Sequence, residues 1–298
     1  MITVSSLTKQ YGNRTAVDDL TFDVAAGRVT GFVGPNGAGK STTMRMMVGL
    51  TRPDSGDTTY RGVRYSDMRH PASVVGTVLD ARSMHPGRTA RNHLAAAAAL
   101  ASIPARRVDE VLDEVGLTSA ADQRTGGFSL GMRQRLALAG ALLGQPEVLL
   151  LDEPSNGLDP DGIRWLRNSL SDFADDGGTV FVSSHLIAEL AMFADDLVVV
   201  GAGRLLAAEP VAATLSRGEA TVIVRTPQTA ELGRLLVRHG IDADITDSQL
   251  SARGTTTGAV SQIAFDNRIQ ITEITETRRS LEEILLDMTG ASAEFAAA

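Results

Sequence analysis

The sequence predicts an α/β protein whose core is a largely parallel, buried sheet, followed by a smaller α+β domain. Short runs rich in Val, Leu and Phe alternate with helical patterns up to about residue 216, as parallel strands joined by crossover helices require. After that point the sequence becomes polar and rich in Thr, Ser and Arg. We therefore predict two domains, residues 1–216 and 217–298.

Apolar runs mark the strands of the first domain, and the clearest helix follows one of them. The helix is predicted to begin with Asp159 as N-cap and Pro160 at its first position, and to end at Gly177. The predicted strands are 28–34, 148–152, 179–184 and 196–201.

The second domain has the predicted element order βαββαβ, which is typical of the ferredoxin-like fold. A final helix is indicated by Ser280 and Glu283, which have the spacing of a capping box. No catalytic constellation is present in this part of the sequence, so we predict an accessory domain that packs or regulates. The predicted strands and helices are 221–226, 230–240, 242–246, 249–254, 258–267 and 270–276.

Composition excludes several classes of function. The net charge of −8 and pI near 5.2 argue against a nucleic-acid surface, and the absence of cysteine excludes disulfides and thiolate metal sites. The longest apolar run, residues 94–101, is too short to span a bilayer. We expect a cytoplasmic protein whose association with a membrane requires a partner.

A glycine-rich loop with the sequence GPNGAGKST predicts a phosphate-binding site between a strand and a helix. Its backbone N–H groups can surround the phosphates, Lys40 can neutralise the β- and γ-phosphates, and the Ser41 hydroxyl can reach Mg²⁺. The residues expected to bind nucleotide are Gly34, Pro35, Asn36, Gly37, Ala38, Gly39, Lys40, Ser41 and Thr42. A nucleotide and Mg²⁺ are therefore the predicted cofactors.

Two further strands of the first domain are predicted to end in reactive side chains. Asp152 ends an apolar strand, where its carboxylate can hold the Mg²⁺ shell, and Glu153 has the chemistry of a general base for the attacking water. His185 ends another apolar strand and can bond a γ-phosphate or the water, although a structural histidine is the alternative there.

A second anion-binding segment is indicated by the stretch GGFSLGMRQRLALAG, residues 126–140. Ser129 and Gly131 stand at the start of its helix, where free N–H groups and the helix dipole favour a negative charge. The glycine-rich loop already provides a phosphate site, so this segment raises the question of whose phosphate it binds.

In order and spacing, these motifs resemble those of the ATP-binding subunit of an ABC transporter over nearly all of residues 2–216. The resemblance implies a P-loop NTPase of the ABC ATPase type with a helical subdomain. It also implies that Tyr11 stacks on adenine, that residues 128–132 are the signature sequence, and that residues 155–159, including Asp159, are the D-loop that contacts nucleotide. Glu153 and His185 correspond to the catalytic glutamate and the switch histidine, and Asp152 to the Walker B aspartate.

The resemblance further implies a head-to-tail dimer in which two copies enclose two ATP molecules. Ser129 and Gly131 would then bind the ATP of the second copy. Hydrolysis would power export of a drug, an antibiotic or a lipid through a separate integral membrane permease, on the cytoplasmic face of the cell membrane and without nucleic acid. The alternatives are a soluble, non-transport ABC ATPase and an ATP-dependent regulatory binder with low turnover.

The sequence departs from the family pattern at two places. The signature has Leu130 and Met132 where the family usually has Gly and Gln, but it retains Ser129 and Gly131, so we expect function with altered affinity. Asp80 occupies the position of a glutamine that usually binds Mg²⁺ and water. An aspartate can also ligate Mg²⁺, which makes Asp80 a candidate third metal ligand beside Ser41 and Asp152.

Overall fold

The computed structural model describes residues 1–80, 84–184, 187–216, 220–246 and 249–293. The chain divides into two compact units, one formed by Met1–Val211 with the chain from Met288 onward, and the other by Ala212–Asp287. The units and the predicted domains differ at the boundary and in the terminal residues. The division into functional domains at residues 1–216 and 217–298 stays a prediction.

The first unit contains a mixed sheet and a separate antiparallel sheet. Its strands are β1 (Ile2–Tyr11), β2 (Arg14–Val24), β3 (Val29–Val33), β4 (Ser55–Tyr60), β5 (Val63–Arg64), β6 (Val75–Val78), β7 (Val148–Asp152), β8 (Thr179–Ser184), β9 (Asp196–Gly201) and β10 (Arg204–Pro210). The mixed sheet has the order β10-β9-β3-β8-β7-β6 and is parallel except for β10 at its edge. The predicted parallel sheet is confirmed, and its four predicted strands are β3, β7, β8 and β9.

The antiparallel sheet, with the order β2-β1-β4-β5, was not indicated by the sequence analysis. A tight turn at residues 12–13 joins β1 to β2. The buried face of the antiparallel sheet shares one core with the parallel sheet. The ring centroid of Phe22 of β2 lies 5.9 Å from that of Phe32 of β3 and 5.6 Å from that of Phe181 of β8. This shared core packs the antiparallel sheet against the parallel sheet.

Helices cover the parallel sheet and form a second core beside it. They are α1 (Lys40–Met47), α2 (Ala90–Leu100), α3 (Arg106–Glu114), α4 (Leu130–Leu142), α5 (Pro160–Asp175) and α6 (Ile187–Leu190), and α7 (Val211–Ser216) follows β10 at the boundary between the two units. Leu94 of α2, Val111 of α3 and Leu136 of α4 are fully buried and belong to one hydrophobic cluster, which is separate from the core between the sheets. This cluster is the helical subdomain that the sequence resemblance implies.

The predicted caps of two helices are confirmed by their hydrogen bonds. Asp159 Oδ1 accepts from the Gly162 N–H at 2.7 Å at the start of α5. Before the last helix, α10 (Leu281–Ala293), Ser280 Oγ accepts from the Glu283 N–H at 3.2 Å. The Glu283 carboxylate accepts in return from the Ser280 N–H at 2.7 Å, which completes a capping box.

The second unit has the βαββαβ order that the sequence predicts. Its elements are β11 (Ala220–Arg225), α8 (Thr229–Arg238), β12 (Asp242–Thr246), β13 (Gln249–Arg253), α9 (Thr257–Asp266) and β14 (Glu273–Arg278). The antiparallel sheet order β12-β13-β11-β14 is that of the split βαβ, ferredoxin-like arrangement. Val222, Leu236 and Leu250 form part of its core. An accessory role for this unit stays a prediction.

None of the helices in the described ranges combines the length and the apolar character that crossing a membrane requires.

Candidate active site

The glycine-rich loop joins β3 to α1 and is shaped by its last glycine. Gly39 is the N-cap of α1 and has φ of 99°, in the left-handed region. A Cβ at this position would also collide with the Ala16 carbonyl oxygen of β2. Glycine is therefore required on both conformational and steric grounds, and it places the loop directly against the antiparallel sheet.

Lys40 is the first residue of α1, and its side chain turns back over the loop. The Nζ donates to the Gly34 carbonyl oxygen at 2.6 Å and to that of Pro35 at 3.3 Å. It also lies 3.9 Å from Glu153 Oε1. Burial lowers the pKa of Lys40, and the carboxylates of Glu153 and Asp152 oppose this effect by favouring the ammonium. Two neutral carbonyls and a carboxylate beyond hydrogen-bond distance leave this cation suited to bind phosphate oxygens.

A cleft of about 580 Å³ opens over the loop. Among the residues predicted from the sequence, the cleft is lined by Tyr11, Asn36, Gly37, Ala38, Gly39, Lys40, Ser41, Thr42 and Glu153. Tyr11 ends β1 and is 52% exposed, so its ring is available for stacking. Lys9 Nζ lies 5.5 Å from the centroid of that ring. Gly34 and Pro35 contribute through the carbonyls that Lys40 contacts.

Two residues of the cleft, Arg14 and Ala16, were missed by the sequence analysis, and Asn156 was included only as part of the predicted D-loop. A Cβ added to Gly37 would lie 3.3 Å from Arg14 Nη2, which shows that the guanidinium lies against the loop. The cleft therefore has two cationic side chains, Arg14 and Lys40, and one carboxylate, that of Glu153. The two cations suit a polyanionic ligand, and the Glu153 carboxylate would lie beside that ligand. The sequence offered one signal for Arg14, since it lies only three residues after Tyr11, a residue already expected to contact the nucleotide.

Asp152 and Glu153 diverge at the carboxyl end of β7. Asp152 is the last residue of the strand and pairs with Ser183 of β8, whose hydroxyl donates to Asp152 Oδ1 at 2.6 Å. Glu153 follows in a left-handed conformation, with φ of 51°, and its side chain reaches the cleft. The structure thus brings the proposed general base to the phosphate loop, and Asp152 to the strand end immediately behind it.

Ser129 and Gly131 of the signature do not line this cleft, and neither does Asp159. Ser129 is exposed and caps α4 through a hydrogen bond in which its Oγ accepts from the Met132 N–H at 3.2 Å. Leu130 packs against Gly157 of the D-loop, where a Cβ would collide with Leu130 Cδ2.

The Leu130 contact involves one of the two departures from the family signature. Gly157 has φ of 72°, so it meets both a conformational and a steric demand for glycine. Leu130 remains 38% exposed beside it. The signature and the D-loop are therefore in direct contact through Leu130 and Gly157.

Of the two remaining candidate residues, Asp80 lies within the described residues and His185 does not. Asp80 is exposed and follows β6 by two residues. Because Val78 pairs in parallel with Leu151, Asp80 and Asp152 both lie at the carboxyl ends of their strands, on the same side of the sheet. His185 lies outside the described residues. The roles of Asp80 in metal binding and of His185 in catalysis stay predictions.

The oxygen donors at the carboxyl ends of these strands are of the type that Mg²⁺ prefers as ligands. Ser41 offers a hydroxyl in the cleft and Asp152 a carboxylate behind it, and both are hard oxygen ligands. Within the described ranges, no group of three or more His, Asp or Glu side chains is arranged to hold a metal ion. Where Mg²⁺ binds beside a nucleotide, phosphate oxygens and water usually supply the rest of its shell.

Comparison with known proteins covers both units of the chain. A family model described as ABC transporter matches residues 17–156, and a domain of unknown function matches residues 220–282. The ABC transporter ATP-binding protein YhcH of Bacillus subtilis (strain 168) is 33% identical over 297 residues, which are 99% of this chain and 97% of that protein.

Two further proteins extend this comparison. The bacitracin transport ATP-binding protein BcrA of Bacillus licheniformis is also 33% identical, over 97% of each chain. A solved structure of the ATP-binding subunit of an ABC transporter superposes with a TM-score of 0.66 and 27% identity, over 73% of this chain and 92% of that one.

Proposed function

The chain belongs to the family of ABC transporter ATP-binding proteins, and we propose on this basis that it hydrolyses ATP to power export through a separate membrane permease. The observation that carries the proposal is the cleft over the glycine-rich loop, which combines a buried lysine with a carboxylate 3.9 Å away. One group suits the phosphates and the other suits the water that attacks them. ATP is thus the substrate, and ADP and phosphate are the products.

Binding of ATP uses the lining of the cleft. The Tyr11 ring stacks on the base, and the N–H groups of residues 36–42 surround the phosphates. Lys40 exchanges its contacts with the Gly34 and Pro35 carbonyls for phosphate oxygens. These charge-assisted hydrogen bonds are stronger than the neutral ones that they replace.

Hydrolysis requires a base beside the terminal phosphate. Glu153 accepts a proton from the attacking water as the water oxygen bonds to the γ-phosphorus, and the bond from that phosphorus to the bridging oxygen breaks to release ADP, while Lys40 neutralises charge on the phosphates. Mg²⁺, when bound, would be held by Ser41 and Asp152 and would neutralise charge on the phosphate oxygens. His185 is proposed to bond the γ-phosphate or the water.

A second copy of the chain completes each site in this proposal. Ser129, Gly131 and Asp159 lie away from the cleft of their own chain, and Ser129 is exposed at the start of α4. A helix N-terminus with an exposed hydroxyl favours an anion, which a head-to-tail partner would supply as its bound ATP. The proposed assembly is therefore a dimer with two composite sites.

The permease determines where the protein acts. We propose that the dimer binds integral membrane subunits on the cytoplasmic face of the cell membrane and transmits the motion of hydrolysis to them. The name of the bacitracin transport relative supports an antibiotic or a related compound as the exported substrate. Net charge of −8 supports the absence of a nucleic-acid partner.

Affinity purification from detergent extracts of the native host tests this proposal. We expect a protein with several membrane spans to copurify, and we expect reconstituted vesicles of the pair to move substrate only with ATP. A chain that hydrolyses ATP but is recovered without a membrane partner would indicate a soluble, non-transport ATPase. ATP binding without phosphate release from the assembled pair would indicate a regulatory binder.

Replacement of Asp80 by Asn tests its proposed role as a Mg²⁺ ligand. If the carboxylate contributes to the metal shell, the Mg²⁺ concentration that half-saturates ATP binding should rise by about threefold to tenfold, because a charged oxygen ligand becomes neutral. Calorimetric titration of ATP at several Mg²⁺ concentrations measures this. Asp175→Asn at the end of α5 is the control, and an Asp80→Asn titration that superposes on wild type would remove Asp80 from the metal site.

A further inference from the structure

Ser183 of β8 is buried behind the cleft and is bonded to both carboxylate-bearing residues of the site. Its side chain has no exposed surface. The Oγ donates to Asp152 Oδ1 at 2.6 Å and accepts from the Glu153 N–H at 2.9 Å. The same N–H also points to the Ser183 carbonyl oxygen at 3.2 Å. One serine therefore binds the Asp152 side chain and the Glu153 backbone.

The hydrogen-bond inventory of a hydroxyl makes this arrangement directional. A serine hydroxyl has a single proton to donate and lone pairs that accept. The geometry gives the proton to Asp152 and a lone pair to Glu153. The chain of bonds runs from the Glu153 N–H through Ser183 to the Asp152 carboxylate, so removing the hydroxyl changes both ends at once.

The backbone of Glu153 explains why such a tether is needed. Its φ of 51° lies in the left-handed region, which residues other than glycine rarely adopt and which surrounding contacts must maintain. β7 ends at Asp152, so the regular strand pairing that holds the preceding residues no longer constrains Glu153. Its N–H bonds to Ser183 replace that constraint, and the conformation directs the carboxylate to within 3.9 Å of Lys40.

We propose that Ser183 is a positioning residue for ATP hydrolysis, which holds the Glu153 carboxylate toward the cleft by tying the Glu153 backbone to the Asp152 side chain. This inference rests on the proposed hydrolytic function, and it assigns a role to a residue that is fully buried and does not line the cleft. Ser183 acts on the rate of the chemical step, because misplacement of a reacting group by about 1 Å can reduce a rate roughly 100-fold. ATP binding depends mainly on the loop, and Ser183 does not line the cleft above it.

The test compares full-length wild type with Ser183→Ala, which removes the hydroxyl and leaves the rest of the side chain. We expect kcat for phosphate release to fall by at least about tenfold, while the KM for ATP and the calorimetric Kd change by less than about threefold. Ser183→Cys keeps one heavy atom at the γ position but replaces the hydroxyl with a thiol, which is only a weak donor. Its kcat should therefore also fall clearly below wild type. Thermal unfolding establishes which variants are folded.

Thr30→Val is the matched control. Thr30 is a buried residue of the neighbouring strand β3, 2% exposed, and its Oγ1 has no hydrogen-bond partner among the described residues. This control removes a buried hydroxyl without removing a hydrogen bond, and we expect wild-type kcat from it.

A double variant tests whether Ser183 acts through Glu153. In single-turnover assays, Ser183→Ala should slow a Glu153→Gln protein by less than about twofold, because the base that Ser183 orients is already absent. A second full tenfold loss would show that Ser183 acts independently and would overturn the inference. So would a folded Ser183→Ala or Ser183→Cys protein with wild-type kcat. A wild-type protein that does not hydrolyse ATP would instead refute the proposed function.

Discussion

Glu153→Gln is expected to slow phosphate release by roughly 10²- to 10⁴-fold, because an amide cannot accept the proton of the attacking water. The substitution keeps the size of the side chain and removes the acid–base group that lies 3.9 Å from Lys40. ATP binding should be retained, since the loop contacts are unchanged and one negative charge is removed from beside the phosphates. In the proposed mechanism, the variant accumulates as an ATP-bound dimer.

Phosphate release and size-exclusion chromatography measure the two parts of this result. We expect a dimer with ATP and Mg²⁺ and a monomer without nucleotide. The matched control is Glu147→Gln, since Glu147 precedes the opposite end of β7 and pairs with Arg61 at the surface. Wild-type turnover is expected from that variant. A Glu153→Gln protein that remains monomeric at saturating ATP would contradict the proposed dimer, and one with wild-type turnover would exclude Glu153 as the base.

Lys40→Ala is expected to weaken ATP binding by about 100-fold, because it removes the charge-assisted bonds to the β- and γ-phosphates. Calorimetric titration of ATP measures the change. Hydrolysis at ordinary ATP concentrations should be lost with it.

Stability without nucleotide should respond differently to this substitution. Burial lowers the pKa of Lys40, so its ammonium is less favourable in the folded protein than in the unfolded chain. The loss of the hydrogen bonds to Gly34 and Pro35 offsets the relief of this burial cost. We therefore expect a nearly unchanged unfolding midpoint in the absence of ATP, and a smaller increase than wild type when ATP is added.

Arg45→Ala separates the role of Lys40 from that of positive charge on the same helix. Arg45 is exposed in the last turn of α1, whereas Lys40 begins that helix beneath the cleft. The control should bind ATP as wild type does. If Lys40→Ala also retained wild-type affinity, the cleft over the loop would not be the nucleotide site.

Several parts of the fold and site were predictable because they depend on local sequence. The apolar runs of β3, β7, β8 and β9 indicate buried strands, and the capping residues Asp159 and Ser280 mark helix starts through contacts only three residues long. The antiparallel sheet was missed. Its strands alternate between buried and exposed residues, and its place beside the loop depends on a core shared with Phe32 and Phe181.

Residues that act through distant partners could not be predicted in the same way. Arg14 reaches Gly37 only because β2 packs beside the loop, and Leu130 meets Gly157 only because α4 begins beside the D-loop. Ser183 appeared in the sequence as one polar residue at the end of an apolar strand. Its partners, Asp152 and Glu153, are 31 and 30 positions away in the chain.

The sequence by itself determined the phosphate loop, the acidic end of β7, the signature helix and the element order of the second unit, since each is encoded by neighbouring residues. Only the tertiary structure decided that Glu153 faces Lys40, that Ser183 bonds to Asp152 and Glu153, and that the signature lies away from its own cleft. The physical reason is strand register. Pairing β7 with β8 determines which side chains meet, and no local pattern specifies that choice.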